Sequence, residues 1–181
     1  MLAIDPKIGK DMMKDYNIRI IKPTEIPLLA DFLYEAIFQP DEQKRLPRDV
    51  IEQPELQVYI ENFGETDDHC LVAECDDKIV GAVWTRIIAG KVRGFGNVDD
   101  KTPEFAISLY PEYRNSGIGT ALMKRMLQHL TAKGYRQASL AVQKDNYALS
   151  MYQAVGFGVI DELDQEYLMI CQLEDESILK V

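Results

Sequence analysis

Phe105-Ala106-Ile107-Ser108-Leu109-Tyr110-Pro111-Glu112-Tyr113-Arg114-Asn115-Ser116-Gly117-Ile118-Gly119-Thr120 is the stretch that decides how this chain folds. The apolar run from Phe105 to Tyr110 predicts a buried strand, which Pro111 ends by removing a ladder donor. After the glycines, Ala121-Leu122-Met123-Lys124-Arg125-Met126-Leu127-Gln128-His129-Leu130 repeats its apolar residues at helical spacing. A glycine loop therefore joins a strand to the first turn of a helix. The first N–H groups of a helix lack internal partners and lie at the positive end of its dipole. Glycines let a large anion approach them closely, so the stretch is a candidate pyrophosphate cradle.

Two familiar phosphate loops do not fit. A Walker loop needs four residues between its glycines and then Lys-Ser/Thr, and neither feature is present. A dinucleotide fingerprint needs a third glycine, which is missing. What remains is Arg114-x-x-Gly117-x-Gly119 between strand and helix, against the alternative of a plain glycine-containing turn.

The 181 residues suit one domain, and 46% hydrophobic content suits a packed core. No apolar run approaches the ~20 residues of a membrane helix. No basic-then-apolar secretory segment opens the chain, which predicts a cytoplasmic protein. Cys70, Cys75 and Cys171 show neither metal spacing nor an even framework, and no metal is expected. Net charge is −10, which argues against nucleic acid as a partner. An acidic chain must bind an anion through local donors such as loop amides and Arg114. The same field favours a cationic second substrate; solvated surface carboxylates explain the charge equally well.

In chain order, residues 1–14 are expected to form a flexible arm ahead of a single domain at 15–176. Tyr16–Ile21 alternates as a first strand, and Thr24 is placed to cap a helix through Ile37, with Pro27 in its first turn. A second helical region follows from about Pro47 to Phe63, interrupted near Pro54. Cys70–Glu74 and Ile79–Ile88 read as strands joined by a tight turn at Asp76-Asp77. Gly90–Asp100 is a loop. Gln137–Val142 is a strand, Asn146–Val155 a helix, and Phe157–Ile160 with Tyr167–Leu173 a closing antiparallel pair. This order describes an α+β domain with a mixed sheet covered by helices.

The stretch from Asn146 to Phe157 carries a second motif. With the glycine loop it resembles the GNAT superfamily of N-acyltransferases, whose acyl-coenzyme A signature is Gln/Arg-x-x-Gly-x-Gly/Ala and whose C-terminal motif is Asn-x-x-Ala-x-x-x-Tyr-x-x-x-Gly-Phe. Asn146, Tyr152, Gly156 and Phe157 are set on the second motif, with Leu149 at the alanine position. Ile107-x-Leu109-x-Pro111-x-Tyr113-Arg114 resembles the strand end of the family. The likeness covers roughly Met13 to Leu173 and is specific from Pro103 to Phe157. It implies a mostly antiparallel sheet of about seven strands, flanked by about four helices, with a splayed central parallel pair.

The resemblance also assigns roles. Arg114, Asn115, Ser116, Gly117, Ile118, Gly119 and Thr120 would bind the pyrophosphate of acetyl-coenzyme A, with Asn146 on the cofactor side. Ile107 and Leu109, on a bulged strand, would pair with the pantetheine arm through their backbone, and the Leu109 N–H would polarise the thioester carbonyl. Tyr152 would be the general acid for the leaving thiolate. Glu104 is the best placed general base, with Asp99, Asp100 and Glu112 as competitors and a surface carboxylate as the default for each. His69 and His129 read as uninformative, His129 as solvent-facing. None of the cysteines has an evident neighbouring histidine, which predicts direct transfer without an acyl-enzyme.

The function expected is N-acetylation of a primary amine. The acceptor would lie between the early helices and the acidic loop Asp161–Glu166, with Asp41 and Glu42, which suits a cationic amine or peptide. The alternatives are another acyl group, a hydroxyl acceptor, or a non-catalytic acyl-coenzyme A-binding regulator. A monomer or homodimer is expected, with no membrane partner.

Overall fold

The computed structural model describes residues 15–173, so the expected arm at 1–14 and the end of the expected domain lie outside the described residues. The strands are β1 (Asn17–Ile20), β2 (His69–Cys75), β3 (Lys78–Arg86), β4 (Glu104–Leu109), β5 (Gln137–Gln143), β6 (Gly158–Glu162) and β7 (Glu166–Gln172). They form one seven-stranded sheet in the order β1-β2-β3-β4-β5-β7-β6. The α-helices are α1 (Leu29–Ala36), α2 (Pro54–Gln57), α3 (Ile118–Ala132) and α4 (Leu149–Ala154).

Strand alternation divides the core. Val83, Phe105 and Leu109 face α3, whose Leu122, Met123, Met126, Leu127 and Leu130 are buried at steps of three and four. Ala82, Trp84 and Ala106 point the other way, onto Leu29, Phe32 and Leu33 of α1. Each large side chain taken out of water contributes roughly 1.5–3 kcal/mol, and this pins α3, and so the glycine loop, to the sheet.

β4 and β5 are the sheet's parallel pair, and they touch in register at one position, Glu104 with Ser139. From there they diverge, as the resemblance implied. The implied bulge is corrected: β4 keeps unbroken register with β3 from Glu104 to Leu109. Among the described residues, the irregularities lie in the β2–β3 pairing between Ala73/Glu74, where β3 carries the extra residue Val80, and in β6 between Val159/Asp161.

Two helix expectations are corrected as well, and the interruption expected near Pro54 is found. The Thr24 helix is a 3-10 segment, Pro23–Leu28, followed by α1. Its cap is Lys22, whose N–H donates to Glu25, while Pro27 supplies no donor of its own. The second region is a 3-10 turn at Arg48–Glu52 and then the short α2 beginning at Pro54. α4 starts at Leu149 because the Asn146 carboxamide accepts from the Ala148 N–H and holds the chain in a turn. Asp76 and Asp77 both take positive φ, 49° and 60°, as a tight two-residue hairpin requires.

Candidate active site

The glycine loop turns on two left-handed residues, Asn115 at φ 56° and Gly117 at φ 85°, with Gly117 capping α3. Among the described residues, no carbonyl or side chain accepts from the amides of Gly117 through Thr120, until Ala121 donates to the Gly117 carbonyl. This row of unpaired donors at a helix start fits a diphosphate. Asn115, Gly117, Gly119 and Thr120 line a groove of about 650 Å³. Two predicted members stand apart. Ser116 turns its hydroxyl onto the Tyr113 carbonyl and is not on the groove wall. The Ile118 side chain is core, leaving only its backbone to the loop. A Cβ on Gly119 would make ordinary van der Waals contact, 3.4 Å from Leu109 and 3.6 Å from Met151.

Arg114 is held in advance. Its Nε donates to the Leu109 carbonyl at 3.1 Å and its Nη2 to Glu35 at 2.9 Å. Arg45 grips the other Glu35 oxygen at 2.8 Å, and it lines the same groove. Glu35 and Arg45 carried no sequence signal, because they meet Arg114 only across α1 and β4.

The splay frees backbone groups on β4. The Tyr110 N–H donates to the Val80 carbonyl, so alternation aims even-numbered β4 residues at β3 and odd-numbered ones at β5. The Ser139 N–H to Pro103 carbonyl bond agrees with that phase. Past it β5 has turned away, and the amides of Ile107 and Leu109 open onto the gap.

Tyr152 stands where two cavities meet. It lines the groove beside the glycine loop and a second cavity of about 440 Å³, and Ile107 and Asn146 also lie on both walls. Its ring packs against Phe157. Burial, then the nearby Tyr147, pushes its hydroxyl well above the usual tyrosine value. The motif spacing needs one correction: counted back from Tyr152, its alanine falls on Ala148 and its asparagine on Asp145, so Asn146 and Leu149 are displaced by one residue.

The second cavity lies between the early helices and the sheet, with Leu33, Ile37, Leu46, Leu56, Tyr59 and Phe95 on its wall. Its carboxylates are Glu55 and Glu166. Of the acidic stretch 161–166, only Glu166 lines it, and Asp41 does not, which corrects the expected acidic surround.

Glu104 is no surface carboxylate. It is 2% exposed and lies on the wall of neither cavity. Its Oε1 accepts from the Tyr59 hydroxyl and from the Gly96 N–H at 3.2 Å, while its Oε2 has no partner. Burial outweighs those bonds and raises its pKa to about 7. Asp99 is spent on the Lys101 and Thr102 amides, and Asp100 and Glu112 are exposed. Tyr59 and the Gly94–Gly96 turn were not legible as site residues. Tyr59 reads as one more apolar position of a helical region, and the glycines as loop.

The histidines also depart from expectation. At the opposite end of α3 from the glycine loop, half-buried His129 meets His69, Nε2 to Nδ1, at 3.3 Å. His69 continues to Tyr135 at 3.2 Å, and Tyr135 donates to Asp67. Among the described residues no His/Cys/Asp/Glu group could hold a metal ion.

A splayed parallel pair, a donor-lined loop at a helix start and a tyrosine between two cavities define an acyltransferase-type site. The sequence model of the acetyltransferase (GNAT) family matches residues 31–157, and the chain belongs to that family. A mycothiol acetyltransferase of Saccharomonospora viridis is 28% identical over 108 residues, 59% of this chain and 35% of that protein. Acetyltransferase SG1711 of Sodalis glossinidius is 28% identical over 125 residues, 63% of this chain and 80% of that one. The chain spans about a third of the length of the mycothiol acetyltransferases it matches. The PaiA N-acetyltransferase of Thermoplasma acidophilum, solved with coenzyme A, has the same fold. Its TM-score is 0.63 at 20% identity, over 87% of this chain and 99% of that one. Acetyl-coenzyme A as co-substrate agrees with the family and with the loop's unpaired donors.

Proposed function

We propose that this protein moves an acetyl group from acetyl-coenzyme A to a primary amine by direct attack in a ternary complex. The observation that carries this reading is the position of Tyr152 on the shared wall of the two cavities. The loop amides and Arg114 hold the diphosphate, and the open amides of Ile107 and Leu109 pair with the arm. The Leu109 N–H stabilises the charge that develops on the carbonyl oxygen. One such donor is worth roughly 3–4 kcal/mol where removal has been measured in another enzyme. As the N–C bond forms and the C–S bond breaks, Tyr152 gives its proton to sulfur. Its raised pKa keeps that proton in place at neutral pH.

Glu104 is the base that receives the amine proton, and a value near 7 suits that task. Cys70, Cys75 and Cys171 are buried and line neither cavity, which supports direct transfer over an acyl-enzyme. The mostly apolar second cavity supports a single amine on an apolar body over a polyamine.

The test is thiol release from acetyl-, succinyl- and longer acyl-coenzyme A against a panel of amines and alcohols. Acetyl-coenzyme A with an amine should turn over fastest. Tyr152→Phe should bind coenzyme A as before by calorimetry while kcat falls about 10²–10⁴-fold. An unchanged rate removes Tyr152 from the chemistry.

A further inference from the structure

Glu104 is sealed from the acceptor. The turn from Gly94 to Gly96 closes over it so tightly that a Cβ on Gly94 would fall within van der Waals contact of the carboxylate. A Cβ on Gly96 would stand 2.9 Å from the Ala141 nitrogen, so the turn also plugs the gap toward β5. A base behind that plug cannot touch the amine. Tyr59 reaches both: it lines the acceptor cavity, and its hydroxyl donates to Glu104 Oε1.

The Tyr59 hydroxyl both donates and accepts. The hydrogen goes to Glu104, and the oxygen takes the Phe95 N–H at 2.8 Å. The residue is also held in place. Trp84 Nε1 donates to the Tyr59 carbonyl at 3.1 Å, and Arg86 to the carbonyls of Val58 and Glu61 at 2.9 and 2.8 Å. Arg86 is the register partner of Glu104 on β3, but its guanidinium is taken by Asp68 and those carbonyls. No cation bonds Glu104 among the described residues.

We infer that the Tyr59 hydroxyl relays the acceptor's proton from the cavity to the enclosed Glu104. This rests on the amine-transfer reading above. The ammonium N–H bond breaks and its proton passes to the Tyr59 oxygen as the Tyr59 O–H proton passes to Glu104 Oε1. Tyr59 ends neutral, the ammonium has become an amine, and Glu104 carries the proton. A glutamate raised to about 7 by burial takes up and gives back a proton near neutral pH. The other titratable groups on this cavity are Tyr152, Glu55 and Glu166.

The test is the pH profile of kcat/KM, read by thiol release from acetyl-coenzyme A with the best amine of the panel. The wild type should rise through a limb near pH 7 as Glu104 ionises. Tyr59→Phe should lower kcat/KM by about 10²-fold and flatten that limb, with the KM for acetyl-coenzyme A unchanged. Glu104→Gln should do the same, and the double variant should be no worse than either single one. A tyrosine that only pins α2 to the sheet would change stability and leave the limb in place, and that result overturns the relay while wild-type turnover stands. Absence of thiol release with every amine overturns the amine-transfer reading and the relay together. If Tyr59→Phe does not fold, fluorotyrosine at position 59 keeps the ring and makes the hydroxyl more acidic. The limb should then move to lower pH, and an unmoved limb overturns the relay.

Discussion

Gly94 and Gly117 are both loop glycines, and they are needed for different reasons. Gly117 has open space around it but a φ of +85°, so a side chain there costs only backbone strain. Gly94 lacks room, because the Glu104 carboxylate lies where its Cβ would be. That carboxylate cannot swing aside without breaking its bonds to Tyr59 and Gly96. Gly94→Ala should therefore cost about 1–3 kcal/mol by overpacking, with loss of turnover. Gly117→Ala should cost about 1 kcal/mol, as φ strain alone does. Denaturant midpoints compare the two, and an equal or smaller loss for Gly94→Ala would show that Glu104 is free to move. The sequence displays a glycine at each position and gives no sign which constraint applies, since the Gly94 neighbour is on a different strand.

At the scale of elements, α3 does two jobs. Its N-terminus carries the donor loop, and its last turn holds His129 against His69 of β2. Both histidines are pushed below the ordinary imidazole value, chiefly by burial and also by the Lys133 charge. A base with a depressed folded-state pKa binds its proton more readily when unfolded. Its contribution to stability is therefore present above about pH 6.5 and is lost as pH falls. Glu104 acts with the opposite sign, because its raised value makes the fold lose stability as pH rises from the usual carboxylate range through about 7. Glu25, lowered to about 2 by its bonds to Arg19, loses its contribution only in stronger acid. The histidine part is thus the difference between the wild type and a His69→Asn/His129→Gln variant. Urea denaturation at pH 7.5 and 5.5 should show the wild type losing more stability than the variant over that interval. Equal losses would mean that both rings take up protons freely in the fold.

For the whole molecule, the net charge of −10 opposes the polyanionic cofactor that we propose the loop holds. Unpaired amides and an arginine fork act at contact distance, whereas the repulsion acts over the Debye length, about 10 Å at 0.1 M salt. Added salt should therefore speed coenzyme A association in stopped-flow mixing, with less effect on its dissociation. A rate that falls with salt would mean that local cations, Arg45 and Arg114 among them, dominate the approach field. No described helix is long and apolar enough to cross a membrane.

Local patterning was enough for the elements around the loop. Strand, proline, glycines and helix follow one another in the chain, and each leaves its mark through backbone sterics or the period of its apolar residues. For the same reason the glycine loop and the succession of strands along the chain were legible beforehand. The partners were not. That Glu104 is enclosed, that Tyr59 bridges it to a cavity, that Glu35 draws Arg45 to Arg114, and that the acidic stretch lies mostly off the acceptor wall all depend on groups far apart in the chain. Only packing brings such groups together, and burial then sets their proton affinities, a quantity that residue identity alone does not carry.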